Sequence, residues 1–336
     1  MTHDLSTHSH ARSPARSPRL LPLAAASALL LCACGGGGGD DKGGGSVAFS
    51  IDPASVNPTS TTTDQPFLDP NVVEFYAFGS SCRSTAKGQA VLVTDNTVTY
   101  SDGTPSAAHL KRVSQYAEAA VRTLRDKFGI TAPGNVGFDG QKLRVCAVIS
   151  GSDNQTNGSA GVRTLHIGTP EGYSRLATLI YHESTHAVQA QALNCQIQQY
   201  GWERWFTEGM ALHVAGQDAP SSGDLAGLQS TFAGIEGNLP MGDMDQRAGV
   251  RNDRYPAYRL AVDTLLGETG KTDQDLYRFL VQVGRTTGCP GEGANYTPAA
   301  LAAGWKTSFD ASFGTDLRGR GAMGADFWTA AKKYAK

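Results

Sequence analysis

Several features are missing from this 336-residue sequence, and each absence removes a class of function. Lys and Arg (29) are balanced by Asp and Glu (31), and no basic stripe is visible, so nucleic acid is not an expected partner. No internal repeat is visible either, which removes repeat architectures. The five glycines at 35–39 are not followed by Lys-Ser/Thr or preceded by a strand, so they do not form a phosphate-binding loop.

The N-terminal segment has the pattern of an export signal. Three arginines precede an apolar run at residues 20–33 that is too short to span a bilayer. The run ends in Leu-Cys-Ala-Cys34-Gly35, which resembles the bacterial lipobox. That resemblance implies cleavage before Cys34, a lipid on its thiol and amine, and a bilayer as partner. The residue after Cys34 is Gly35 and not Asp, which by the same resemblance implies transport to the outer membrane. An ordinary secreted protein is the alternative.

The rest of the chain divides by composition. Residues 34–65 are rich in Gly, Ser, Thr and Pro, which predicts a flexible tether. The remaining residues, roughly 270, are enough for one two-lobed domain with a sizeable core. We expect an α+β fold, with a sheet lobe at 66–195 and a mainly helical lobe at 196–336. A monomer is favoured.

The apolar periodicity predicts the individual elements. Strands are expected at 72–76, 90–93, 97–100, 142–149 and 162–167, with a polar loop at 153–161. Helices are expected at 106–128, 255–266 and 272–283, from 297 onward and at the C-terminus. Loops with one or two weak helices follow residue 215. The first helix has a charged face that should be solvated, formed by Lys111, Arg112, Glu118, Arg122 and Arg125.

The most informative stretch is His182-Glu183-Ser184-Thr185-His186, which reads His-Glu-x-x-His in an apolar run. Residues four apart lie on one face of a helix, so both imidazoles can reach one metal ion. Glu183 is placed to act as a general base on an attacking water. A chance match on a surface helix is disfavoured, because the apolar flanks predict burial. We expect this helix to begin at Thr169-Pro170 and end near residue 193.

A second motif, Trp-Phe-Thr-Glu208-Gly209-Met-Ala, begins at Trp205. Helical spacing places Trp205, Glu208 and Leu212 on one face. A carboxylate on a second helix would complete a His₂Glu site for a single Zn²⁺. Gly209 would let this helix approach the first closely.

The two motifs together resemble those of the gluzincin zinc metallopeptidases, whose second motif reads Trp-x-x-Glu-Gly-x-Ala in the bacterial members most similar to this chain. The resemblance implies a zincin-like fold, with His182, His186 and Glu208 as zinc ligands and Glu183 as base. Several gluzincins carry an acidic residue one turn after the glutamate ligand, where this chain has Leu212 and His213. Support for the ligands must therefore come from elsewhere.

The same resemblance implies further roles. The strand at 162–167 would be an exposed edge that pairs with an extended substrate, and His166 on it either lines the cleft or packs as an ordinary histidine. The oxyanion donor would be Tyr255, Tyr258 or His213. If Glu208 is not the third ligand, Glu203, His166 and His213 are the other candidates.

Four cysteines follow the signal. An even number in an exported chain suggests two disulfides, and we favour Cys82–Cys146 and Cys195–Cys289 among three possible connectivities. A cysteine zinc site is disfavoured, because no C-x-x-C spacing occurs.

Three functions fit the sequence. We expect a zinc-dependent endopeptidase acting on peptides or proteins. A non-catalytic envelope lipoprotein that keeps the fold for binding is the alternative, although it would have no need of Glu183. A hydrolase acting on a non-peptide amide is the third.

Overall fold

A mixed β-sheet covered by helices forms this α+β chain. The computed structural model describes residues 47–63, 65, 67, 82, 89–150, 156–193, 203–234, 239, 252–287, 298–314 and 326–336. Within them, six strands lie in the order β1-β2-β3-β4-β6-β5. Their bounds are β1 Thr59–Thr63, β2 Gln89–Val93, β3 Thr97–Ser101, β4 Leu143–Ile149, β5 Asn157–Ala160 and β6 Thr164–Thr169. The central strands β3, β4 and β6 are parallel, and the outer pairings are antiparallel.

Helices make up the rest of the regular structure in the described residues, apart from short 3-10 turns. Their bounds are α1 Ala107–Phe128, α2 Leu176–Leu193, α3 Arg204–Ala215, α4 Leu225–Thr231, α5 Tyr255–Thr269, α6 Asp273–Thr287, α7 Pro298–Phe313 and α8 Phe327–Ala331. Helix α2 packs against α1, α3, α6, β5 and β6, and 15 of its 18 residues are buried. None of these described helices is both long enough and apolar enough to cross a bilayer.

Helix α1 confirms its predicted position. The Ser106 hydroxyl accepts the first-turn N–H of His109 at 3.1 Å, and Gly129 ends the helix in the left-handed conformation (φ 64°). The predicted solvation of its charged face is wrong at Glu118, which is fully buried. Burial opposes ionisation, but donors from Thr94, Arg122 and Asn96 outweigh it and lower the pKa of Glu118. This carboxylate therefore fastens α1 to the β2–β3 turn.

The two faces of the sheet bury separate clusters, because side chains alternate along a strand. Val145 and Ala147 face the main core with α2. Cys146 faces a smaller cluster that contains Phe67 and Tyr100. A disulfide joins Cys82 to Cys146 in this smaller cluster, with the Cα atoms 5.9 Å apart. The other expected pair, Cys195–Cys289, lies outside the described residues.

Residues 47–63 correct the predicted tether at 34–65. A 3-10 turn at Pro53–Ser55 and strand β1 fall inside it. The Phe49 ring packs edge-on against Tyr181 of α2 with centroids 5.6 Å apart, and the Ser50 N–H donates to the Thr123 hydroxyl at 2.8 Å. This part of the chain contributes to the fold before residue 66. The predicted export signal with Cys34 and the expected strand at 72–76 lie outside the described residues.

Three predicted helix ends also change. Helix α2 begins at Leu176, because Thr169 is still the last residue of β6, paired with Ile149. Helix α5 continues through Gly267 and ends at Gly270, which has a φ of 65°. Helix α6 extends beyond residue 283 to Thr287. These three ends differ from those that the local residues suggested.

Candidate metal centre

Three side chains from two helices converge on one point. His182 and His186 lie one turn apart on α2, and Glu208 projects from α3. The two Nε2 atoms are 3.1 Å apart, and the Glu208 Oε2 atom lies 3.4 Å from each. Within the part of the chain that the structure describes, these three residues form a group able to hold a metal ion.

Two glutamines fix how the histidines face this point. The Nδ1 atom of His182 lies 2.8 Å from Gln217 Oε1, and that of His186 lies 2.8 Å from Gln189 Oε1. An amide oxygen only accepts, so each Nδ1 carries the proton and each Nε2 presents a lone pair. Gln189 also donates its amide N–H to the Thr207 carbonyl at 2.8 Å, which ties α2 to α3. Both imidazoles are therefore held in the tautomer that binds a metal.

The spacing of the three atoms fits a cation. Two imidazole lone pairs 3.1 Å apart repel each other unless a positive charge lies between them. Ligand atoms about 2.0–2.1 Å from a tetrahedral zinc ion are separated by roughly 3.3 Å. The observed separations of 3.1 and 3.4 Å match that value. Two neutral imidazoles and one carboxylate are also a donor set found in catalytic zinc sites.

Electrostatics at the cluster favour a positive charge as well. Burial alone would lower the pKa of His186, but the Glu208 carboxylate and then Glu183 outweigh it and raise the pKa to about 9. Burial alone would raise the pKa of Glu208, but the two histidines hold it well below its usual range. Both shifts favour a positive charge between the three side chains.

Glu183 lies beside the cluster, beneath strand β5. Its side chain is fully buried, and a Cβ atom at Gly158 of β5 would overlap its carboxylate. Only glycine lets the strand pass this close. The strand predicted at 162–167 is present as β6, but its expected edge position is wrong, because β6 lies between β4 and β5. The predicted loop at 153–161 instead supplies β5, the last strand of the described sheet.

Glycine 209 has a different neighbour from the one expected. A Cβ atom there would overlap the carbonyl oxygen of Tyr258 on α5. The close approach is therefore between α3 and α5, whereas α2 and α3 are joined through Gln189 and the ligands themselves. Gly209, the glycine of the second motif, therefore lets α3 pack closely against α5.

His213 belongs to a second cluster, the His213 cluster, which it forms with Asp263 and Asp273. Its Nδ1 bonds to Asp263, and its Nε2 lies 3.0 Å from Asp273 Oδ1. Burial opposes protonation, but the two carboxylates outweigh it and raise the pKa of His213 to about 9. With both ring nitrogens engaged, His213 is removed from the oxyanion donors and from the possible third ligands.

The other fallback ligands also lie elsewhere. His166 pairs with Cys146 across β4 and β6, so it faces away from α2, and burial lowers its pKa. Glu203 accepts a hydrogen bond from the Trp205 indole N–H. Glu208 alone of the four candidates meets both histidines.

The oxyanion candidates on α5 are core residues. Tyr255 is 5 % exposed and Tyr258 is 1 % exposed. Their rings pack against each other with centroids 5.9 Å apart, and Tyr258 also packs against Phe232 at 6.1 Å. A role for either hydroxyl in the chemistry stays a prediction.

Gln189, Gln217 and Gly158 were missed by sequence reasoning. Gln189 follows His186 by three residues, so helical spacing could have identified it. Gln217 and Gly158 have no local signal, because tertiary packing alone brings them to the cluster. No family model matches the chain, and no curated protein matches it.

Proposed function

We propose that this chain is a zinc-dependent peptidase with a zincin-like fold of the gluzincin type. Its export as a lipoprotein anchored through Cys34 in the bacterial outer membrane belongs to the same proposal. The observation that carries it is the convergence of His182, His186 and Glu208 at separations of 3.1 and 3.4 Å, with Glu183 adjacent. A metal-binding relic would explain the three ligands but would have no use for the fourth residue.

Each of the three proposed ligands would contribute one atom to the zinc site. His182 and His186 would hold zinc through Nε2, and Glu208 would complete the set from α3. Zinc bound in this way supplies a Lewis acid that acidifies a water and polarises a carbonyl. With one carboxylate among three protein ligands, the centre would keep a net positive charge.

Glu183 is the proton carrier in this proposal. Its carboxylate takes a proton from the water that attacks the peptide carbonyl and passes it to the departing amine. The close cover of β5 at Gly158 holds the carboxylate in a water-poor setting, which strengthens its interaction with charges that develop nearby. Tyr255 and Tyr258 are the remaining candidates to donate to the oxyanion.

Strand β5 supports an extended peptide as substrate. It is the last strand of the described sheet, it runs antiparallel to β6, and it passes directly over Glu183. A peptide added to its outer side would gain main-chain hydrogen bonds beside the general base. This arrangement favours cleavage within an unfolded segment.

Metal analysis combined with peptide-library cleavage tests the proposal. The purified full chain should contain zinc near one per chain and cleave peptides. Glu183→Gln should keep the zinc and lose hydrolysis by about 10²- to 10⁴-fold, the range contributed by a general base. The matched control is Glu203→Gln, which changes a buried carboxylate that lies outside the ligand group.

Three outcomes would count against the proposal. Zinc and activity both retained in Glu183→Gln would remove the general-base assignment. Zinc without cleavage of any peptide would favour a non-peptide amide, which a substrate panel would identify. A purified chain that contains no zinc would favour the non-catalytic binding role in the cell envelope.

A further inference from the structure

Gln217 reaches His182 from the turn that ends α3. Gly216 adopts the left-handed conformation (φ 68°), and the Gln217 N–H returns to the Leu212 carbonyl at 2.9 Å. This arrangement is a Schellman-type helix end. It turns the chain back so that the Gln217 side chain meets His182 on the neighbouring helix, at 2.8 Å. Helix α3 and the turn that ends it therefore supply both Glu208 and the group that faces His182.

Arg259 of α5 holds the same turn from the other side. It is 6 % exposed, and its guanidinium donates to the Gln217 carbonyl oxygen. A second donor of Arg259 lies 3.3 Å from Asp263 Oδ2, so the guanidinium is itself oriented. Both backbone polar groups of Gln217 are thus satisfied by fixed partners, which leaves its side chain few positions to occupy.

We propose that Gln217 is a positioning residue for the metal ligand His182 and that Arg259 holds Gln217 in place. The inference rests on the proposed function only in requiring that the cluster bind zinc. Without an acceptor at Nδ1, the imidazole of His182 is free to rotate and to exchange tautomers, and both changes move its Nε2 lone pair away from the ion. The support of His182 then runs from Gln217, in the turn after α3, to Arg259 on α5.

Gln189 does not substitute for Gln217. It accepts from His186 and donates to the Thr207 carbonyl, each at 2.8 Å, so its amide is occupied at both ends. Each histidine therefore has its own glutamine, one from within α2 and one from the end of α3. Removal of Gln217 should loosen one ligand and leave the other in place.

Competition with a chelator for zinc measures the effect directly, without any assay of hydrolysis. Gln217→Leu should weaken zinc binding by about 10- to 100-fold, the usual consequence of losing a group that orients a ligand. Gln217→Glu should bind zinc at least as tightly as the parent, because its carboxylate accepts the same hydrogen bond. Cobalt(II) added in place of zinc should show an altered visible absorption spectrum in Gln217→Leu and a parental one in Gln217→Glu.

Gln191→Leu is the matched control. Gln191 also lies on α2 and donates one hydrogen bond, to the Val162 carbonyl at 2.8 Å, but it is not part of the ligand group. Its loss should leave zinc affinity unchanged. Gln217→Asn serves as a second test if the leucine variant does not fold, because the shorter amide does not reach Nδ1 and should also lose affinity.

Arg259 has a test of its own. Arg259→Gln should lower zinc affinity by less than Gln217→Leu, since the turn loses one of two backbone anchors while the Gln217 amide remains. Combining both changes should add little to Gln217→Leu alone, because they act on one contact.

The outcomes separate this inference from the proposed function. Zinc binding as tight in Gln217→Leu as in Gln191→Leu would overturn the positioning role, whatever the parent hydrolyses. Equal losses in Gln217→Leu and Gln217→Glu would also overturn it, because the hydrogen bond would not be the cause. A parent that binds zinc but cleaves no peptide would defeat the peptidase and leave the positioning role standing. A parent without zinc would defeat both.

Discussion

The metal cluster and the His213 cluster place buried histidines against different partners. His182 and His186 donate Nδ1–H to the neutral amide oxygens of Gln217 and Gln189, so their Nε2 atoms are left to meet each other. His213 instead has a carboxylate at each ring nitrogen, from Asp263 and Asp273. In the proposed zinc site the first pair would share a metal cation, whereas the two carboxylates favour His213 as a cation itself.

This difference shows that burial alone does not decide what a histidine does. Burial lowers the pKa of His166, which lies on the other face of the sheet. It would do the same to His213, but two carboxylates reverse the effect and raise the pKa to about 9. An amide accepts a hydrogen bond without adding charge, so it orients a ring while leaving the lone pair for a metal.

The largest expected effect removes the carboxylate of the metal cluster. Glu208→Ala should weaken zinc binding by more than about 100-fold, which is beyond the loss caused by a supporting residue. The reason is that the proposed site would retain only its two imidazole ligands. Glu203→Ala, one turn earlier in the chain, should keep zinc. The measurement is zinc content after dialysis against a chelator. Stoichiometric zinc in Glu208→Ala would place the third ligand elsewhere.

A smaller effect should appear in stability at the His213 cluster. His213→Gln leaves Asp263 and Asp273 without their shared cation, and should lower the free energy of unfolding by about 2 kcal/mol near pH 6. The raised pKa of His213 means that its contribution is complete below about 6.5 and is lost as the pH rises through about 9. Urea unfolding of both proteins should therefore converge at high pH.

The acid side of the same cluster follows Asp273. Burial would raise its pKa, but His213 and then Lys127 outweigh it and lower the pKa to about 2. Its contribution is present above about 3.8 and is lost as the pH falls through 2. The difference between parent and His213→Gln should thus be greatest between about pH 4 and 6.5. A constant difference across the whole range would contradict the assignment of this contribution to His213 and Asp273.

The smallest expected effect is at the rim of the His213 cluster. Lys127 Nζ lies 2.9 Å from Asp273 Oδ2, with a third of its side chain exposed. Lys127→Ala should reduce stability by about 0.5 kcal/mol, as for a partly exposed ion pair, with zinc binding unchanged. Lys333→Ala is the control, since its pair with Glu268 spans 3.0 Å and its side chain is 64 % exposed. A cost no greater than that of the control would show that Lys127 adds nothing to the cluster.

Local signals predicted the parts of the fold that depend on neighbours in sequence. Ser106 and Gly129 mark the two ends of α1, and the structure uses both as caps. The spacing of His182 and His186 determines their common face on α2. Glu208 was predicted from its helical motif, and the structure brings it to both histidines. Each of these residues lies within one helix or at its end, where period and capping are decisive, although the contact of Glu208 with the histidines joins two helices.

Tertiary contacts decided what the sequence did not show. Strand β5 has an Asn-Gly-Ser-Ala sequence without the β-branched alternation of a strand, and it forms because β6 offers an edge. Helical spacing predicts that Glu118 is solvated, but the β2–β3 turn supplies hydrogen-bond donors to its carboxylate. Gln217 finds His182 only through the fold of the turn after α3.

The overlap between position 158 and Glu183 has a consequence for how this chain can diverge. Because a β-carbon at 158 would occupy the space of the carboxylate, the two positions share one volume and do not vary independently. A lineage that keeps Glu183 is confined to glycine at 158, although glycine weakens a strand. A lineage in which Glu183 is replaced by a smaller residue gains the freedom to fill that space. Substitution at 158 is therefore expected only where residue 183 has changed as well.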